Sequence, residues 1–171
     1  MNRFAKVSFI IMVATLAATT AFAANQATAN IAVSANINPN CVITANPLAF
    51  GNYDQLGINS ATDLQQTTTI SVQCVDEETA AVSLDQGLYP TIGSTVTDPQ
   101  RQMQCPDMDS PLAYFLYQDS EHSKAWGANT NAQIVIADGQ LHNYTVYGSI
   151  PHGQMGEAET YSDTVVATVL Y

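Results

Sequence analysis

Beyond residue 26 the apolar positions of this chain recur at every second residue in one segment after another, and no helical period is sustained. Ala27, Ala29, Ile31, Val33, Ala35 and Ile37 follow the period of a half-buried strand. Further strands are expected at 41–45, 49–53, 67–74, 79–84, 112–118, 133–137, 141–149 and 163–171. Two show their inward face directly. Ile70, Val72 and Cys74 alternate with Thr69, Ser71 and Gln73, and Ala80, Val82 and Leu84 alternate with Thr79, Ala81 and Ser83. The last segment carries no turn or cap behind it, so it is expected to leave an edge exposed along Val165, Ala167, Val169 and Tyr171. A free alternating arm at one end and an uncovered edge at the other imply a sheet one strand short and a segment able to supply a strand, to a neighbouring molecule.

Turns are expected where Gly, Pro, Asn and Asp cluster, and Asp138-Gly139 between two strands signals a hairpin. Two irregular stretches remain, 54–66 and 85–111, the second rich in proline and read as a surface excursion able to carry specificity. Seven or eight short strands in a chain of this length fit a single all-β domain, an antiparallel immunoglobulin-like sandwich.

The start of the chain sets the compartment. Arg3 and Lys6 precede an apolar run over residues 7–16, and Ala21-Phe22-Ala23 is a small-x-small cleavage pattern, so residues 1–23 read as a secretory signal peptide. The run is shorter than the roughly 18–20 residues a membrane-spanning helix needs, and no stable membrane anchor is expected. Cleavage removes two of the four basic residues and none of the fifteen acids, leaving 148 residues with a net charge of −13. That charge argues against nucleic acid as a partner, because such binding needs Lys and Arg to release counterions.

In an oxidising compartment the three cysteines are read first as bridge formers. Cys41 and Cys74 each sit in an apolar strand-like context and are expected to pair, leaving Cys105 in a turn-like stretch: free, bonded to another subunit, or competing for a partner. Closing a loop of that length contributes about 3–4 kcal/mol. No metal site and no cofactor are expected, since no short Cys or His pairing occurs.

Catalytic constellations are absent from the sequence, and no enzyme is expected. His122, His142 and His152 are far apart and lie in or beside turns, and the acidic run Asp76-Glu77-Glu78 reads as a solvated turn. Asn143-Tyr144-Thr145 matches a glycosylation sequon but falls within a strand. Tyr114, Tyr117, Tyr144, Tyr147 and Trp126 offer rings that can stack on sugars, while strand-borne aromatics more commonly pack on the core or across strands.

Several motifs in order carry a resemblance. Asn40-Cys41-Val42-Ile43-Thr44-Ala45-Asn46-Pro47-Leu48-Ala49-Phe50-Gly51-Asn52-Tyr53-Asp54 resembles the opening of the spore coat protein U family, which includes archaic chaperone-usher pilin subunits. Ile70-Ser71-Val72-Gln73-Cys74, Arg101-Gln102-Met103, Leu112-Ala113-Tyr114-Phe115-Leu116-Tyr117, Trp126-Gly127, Tyr144-Thr145-Val146-Tyr147-Gly148 and Tyr161-Ser162-Asp163-Thr164-Val165 follow in family order. The resemblance implies an incomplete immunoglobulin-like sandwich completed by a donor strand, exported through the periplasm to a cell-surface or extracellular fibre. Its implied partners are a periplasmic chaperone, an outer-membrane usher and homologous or identical pilin subunits. On this reading residues 24–36 form a donor-strand arm, with Ala27, Ala29, Ile31 and Val33 facing inward, and residues 37–171 form the pilin-like domain. The boundary between arm and first strand is left open between Val33 and Ile37. Two other roles fit the same sequence: an adhesin or accessory tip module, and a coat-like monomer whose arm fills its own groove. Cys105 departs from the family's usual cysteine pair.

Overall fold

The computed structural model describes residues 25–75, 79–107 and 110–171. The expected signal peptide and the acidic run at 76–78 lie outside the described residues. The chain divides into two units, 1–36 and 37–171. In the first, residues 25–36 have no regular secondary structure and are exposed, Ile31 by 86% and Val33 by 89%.

Among the described residues the second unit holds eight strands: β1 Cys41–Ala45, β2 Leu64–Cys74, β3 Ala80–Leu84, β4 Arg101–Met103, β5 Leu112–Tyr117, β6 Gln133–Val135, β7 Leu141–Ile150 and β8 Ala167–Leu170. They form a five-stranded sheet, β1-β2-β7-β5-β4, and a three-stranded sheet, β6-β3-β8, with every pairing antiparallel. The inward faces follow the alternation in the sequence: Ile70, Val72 and Cys74 of β2 and Ala80, Val82 and Leu84 of β3 are buried. Trp126, at 1% exposure, fills the space between the sheets, and its indole N–H donates to the Val82 carbonyl at 3.0 Å. That bond removes the one polar cost of burying the ring. Cys41 and Cys74 lie directly opposite in the β1–β2 register and are disulfide-bonded.

β8 covers only Ala167–Leu170 of the strand expected at 163–171, and β2 starts at Leu64, inside the stretch expected to be irregular. Three further expectations differ in kind. Residues 49–53 are not a strand; between 47 and 53 no backbone–backbone hydrogen bond is formed among the described residues. Side chains hold this segment instead. Leu48 and Phe50 lie against β7 at Gly148, where a Cβ would meet Leu48 Cδ2 at 2.6 Å and Phe50 Cζ at 2.8 Å, and the Tyr53 hydroxyl donates to the Pro151 carbonyl at 2.8 Å. The expected excursion at 85–111 contains β4, whose three residues are too few to show a period. Asp138-Gly139 does turn the chain, but not into a hairpin: β6 pairs with β3 and β7 with β2 and β5, so the turn carries the chain from one sheet to the other. A turn signal specifies local backbone geometry and not the partner of the strand that follows.

Gly127 sits where two loops meet. A Cβ there would lie 2.5 Å from the Thr97 carbonyl oxygen and 2.7 Å from that of Val96, both backbone atoms with little room to yield. Gly127→Ala is therefore expected to destabilise the fold by about 1–3 kcal/mol in denaturant titration. A change below about 0.5 kcal/mol shows instead that the turn at 94–98 gives way freely.

Candidate functional site

β1 ends one side of the five-stranded sheet and β8 ends one side of the three-stranded sheet, and these two edges approach without pairing. Past Ala45 on one side and Ala167 on the other, the space between them opens into a cleft of about 580 Å3. Ile70, Leu116 and Val146 form its floor, residues 45–50 one wall, and residues 161–167 the other. A second cleft of about 730 Å3 adjoins it, sharing Leu48, Phe50, Met103 and Tyr161, and runs on toward Ile150 and residues 156–160.

The wall leading into β8 keeps a strand's alternation. Val165, Ala167 and Val169 are half-buried against the core, while Val166 and Leu170 are exposed. Val165 and Ala167 line the cleft. Val169 packs further along, beyond the cleft lining, and Tyr171 lies past the end of β8 with 60% of its surface exposed. β8 pairs with β3 on one side only. Of the arm residues, Ala27, Ala29, Ile31 and Val33 are all exposed in their own unit.

The same alternation turns Asp163 inward, and it is the one carboxylate in the cleft lining. Its Oδ2 accepts from the Tyr114 hydroxyl at 2.7 Å, and its Oδ1 accepts from the backbone N–H of Leu88 at 2.9 Å and of Thr164 at 2.7 Å. Burial, and then the neighbouring Asp163 carboxylate, push the Tyr114 phenol well above its ordinary range. Nearby, Arg101 is buried, and its guanidinium donates to the carbonyls of Asp85 (Nε, 2.8 Å) and Trp126 (Nη2, 2.9 Å). Desolvation lowers the Arg101 pKa, and the charge-assisted bonds offset that cost while tying β4 to the end of β3. Sequence reasoning missed both residues as parts of the site. The signals were present: Asp163 shares the i, i+2, i+4 face of Val165 and Ala167, and Arg101 is one of only two cations beyond residue 23.

Cys105 is a free thiol, 2% exposed, beside the Tyr161 hydroxyl at the cleft wall. A bond from it to another subunit needs the segment around Tyr161 to move first. The histidines are not gathered: His142 bonds Asp138, His152 bonds Asp63, and His122 lies near the rings of Tyr117 and Tyr147. His142 lies at the start of β7, beside the turn at 138–140. Among the described residues no group of three or more His, Cys, Asp or Glu side chains could hold a metal ion, and no helix is long and apolar enough to cross a membrane.

Two antiparallel sheets with an apolar cleft between unpaired edges define a nearly all-β sandwich similar to a chaperone-usher pilin fold. The chain belongs to the Spore Coat Protein U domain family, whose model matches residues 27–168. It is 39% identical over 172 residues to Protein U of Myxococcus xanthus, covering 96% of each chain. Its fold is similar to that in the crystal structure of the CsuC–CsuE chaperone–tip adhesion subunit pre-assembly complex from archaic chaperone-usher Csu pili of Acinetobacter baumannii. The TM-score is 0.56 and the identity 24%, over 79% of this chain and 40% of that one. The family is one of structural, non-enzymatic proteins.

Tyr114→Phe tests the polar contact in the cleft. A phenol whose pKa is raised in the folded state costs nothing below the unfolded value near 10; above it, the unfolded chain ionises and the folded one does not, so stability falls as pH rises. The variant is expected to be about 1.5–3 kcal/mol less stable at pH 7, from loss of a hydrogen bond to a charged group, and to lose less stability than the native chain between pH 9 and 11. Equal alkaline slopes in denaturant midpoints contradict the assignment.

Proposed function

We propose that this protein is a secreted structural subunit of a surface fibre, assembled by the chaperone-usher pathway through donor-strand exchange: the arm at 24–36 of one copy fills the cleft of the next. The observation that carries this reading is the pairing of an apolar cleft with backbone that has no ladder partner, along 47–53 and along the free side of β8. An extended segment with apolar residues at every second position suits such a place, because one side of its backbone bonds each wall while its side chains fill the floor. Ala27, Ala29, Ile31 and Val33 form such a segment, and residues 25–36 carry no charge. Its seven residues from 27 to 33 span about 20 Å when extended.

The energetics favour slow release. Burying the exposed Ile31 and Val33 contributes roughly 1.5–3 kcal/mol each, and each ladder bond adds about 0.5–1.5 kcal/mol. Alanine at 27 and 29 makes that end of the joint the weaker one. Before exchange, an uncovered cleft is an aggregation hazard; a periplasmic chaperone covering it, and an outer-membrane usher where the arm replaces the chaperone, are the partners this reading calls for. The solved structure with a similar fold is that of a chaperone–tip adhesion subunit pre-assembly complex.

Ile31→Asp places a carboxylate where the joint needs an apolar side chain. In cells carrying the assembly factors, the native protein is expected to run as a heat-sensitive ladder on unboiled gels, and the variant to reach the periplasm but yield no ladder. A normal ladder from Ile31→Asp, or a native protein that stays folded and monomeric after residues 24–36 are trimmed, overturns the proposal.

A further inference from the structure

The sheet face turned away from the cleft has features that neither the core nor the strand-exchange reading uses. On this outer face the register sets Thr67 of β2, Tyr147 of β7 and Tyr117 of β5 in one cross-strand row, with Gln65, Ser149 and Phe115 in the next. Their neighbours along the strands, Leu116, Val146 and Gly148, are buried, so these side chains point away from the core, although Ser149 itself is only 4% exposed. The rings are half-buried and shield one another: Phe115 and Tyr117 have centroids 6.2 Å apart.

Over this row stands His122, its ring 4.9 Å from Tyr117 and 6.4 Å from Tyr147, with Nδ1 3.4 Å from the Gln65 amide nitrogen. His122 has φ of 55°, a left-handed conformation that side-chain-bearing residues adopt only when their surroundings impose it. The loop imposes it. Lys124 returns a carbonyl to the Gln118 N–H at 3.0 Å, and the Asp119 carboxylate accepts from the N–H groups of Ser123 at 2.9 Å and Lys124 at 3.1 Å.

We propose that this face is a binding platform for an uncharged glycan. Rigid Tyr and Phe rings on one surface offer flat apolar faces to sugar C–H groups, and hydroxyl and amide side chains at their border supply donors and acceptors to sugar hydroxyls. The charge pattern selects among ligands. In a chain with fifteen acids, β2, β5 and β7 contain no Asp, Glu, Lys or Arg. A cationic ligand finds no carboxylate on the face itself to pair with, and only the flanking acids to draw it. An anionic one is repelled by those acids, Asp63 and Asp119 among them, whose charge reaches Tyr117. A neutral polyhydroxylated chain needs no charged partner and meets no repulsion, and it alone is retained equally at low and high salt.

The test uses the secreted full chain and four insoluble neutral polysaccharides: cellulose, chitin, curdlan and starch. Depletion isotherms at 0.15 M and 1 M NaCl are expected to show retention on at least one of them, unchanged by salt. Thr67→Glu, which puts a charge beside Tyr147 at an exposed position, and Tyr147→Ala are each expected to lower retention at least tenfold while leaving the unboiled-gel ladder as it was. Ile92→Glu, in an exposed loop elsewhere, is expected to leave both unchanged. If Tyr147→Ala fails to be secreted, Thr67→Glu decides alone. Absence of retention on all four supports, loss of retention in 1 M salt, full retention by Thr67→Glu, or an equal loss in Ile92→Glu each overturns the platform. Loss of the ladder in Thr67→Glu overturns it too, marking the face as a contact between copies.

Discussion

Backbone N–H and C=O groups along a strand must be bonded by something, and the architecture of residues 37–171 follows from where that demand is left unmet. Inside the two sheets each ladder is filled. Along 47–53 and along the free side of β8 it is not, and between these lines lies an apolar floor built from β2, β5 and β7. Either deficit alone is ordinary at a protein surface, where water supplies the bonds. Side by side across an apolar cleft they favour a particular kind of occupant, one with a backbone to bond both walls and alternate side chains to replace water on the floor.

The sequence made the two-residue period legible where strands are long and half-buried, which is why the inward faces of β2 and β3 match it. It was less informative where side chains take over from ladders. Residues 49–53 carry a strand-like composition, yet Phe50 spends its ring on the surface over Gly148 and Tyr53 its hydroxyl on Pro151, and neither contact is visible without the chain folded back. The cleft itself was hidden for a similar reason. Its walls lie more than a hundred residues apart in the chain, and alternation shows that Val165 and Ala167 face inward without showing what stands opposite. Arg101 and Asp163 were readable as oddities, one of two cations beyond residue 23 in an acidic chain and a carboxylate on an apolar face, but their roles emerge only from the carbonyls and the phenol that meet them.

Three polar side chains of this interior are answered locally, while the buried Oε1 atoms of Gln104 and Gln118 have no hydrogen-bond partner among the described residues. Arg101 is met by main-chain carbonyls, Asp163 by a phenol and two main-chain N–H groups, and Trp126 by the Val82 carbonyl. Such bonds fix the positions of β3, β4 and the approach to β8 relative to one another without an ion pair, which suits a chain with so few cations to spend. The acids are left largely to the surface, and the long paired strands of the larger sheet keep an outer face free of them.

The Cys41–Cys74 bond has a mechanical consequence. Cys41 lies eight residues beyond Val33, so tension applied to the arm enters the folded unit at the first residue of β1. There it passes through a covalent bond into β2, which is ladder-bonded along ten residues to β7. A pull that would otherwise peel the edge strand away one hydrogen bond at a time is handed to the middle of the larger sheet, where many bonds must fail together.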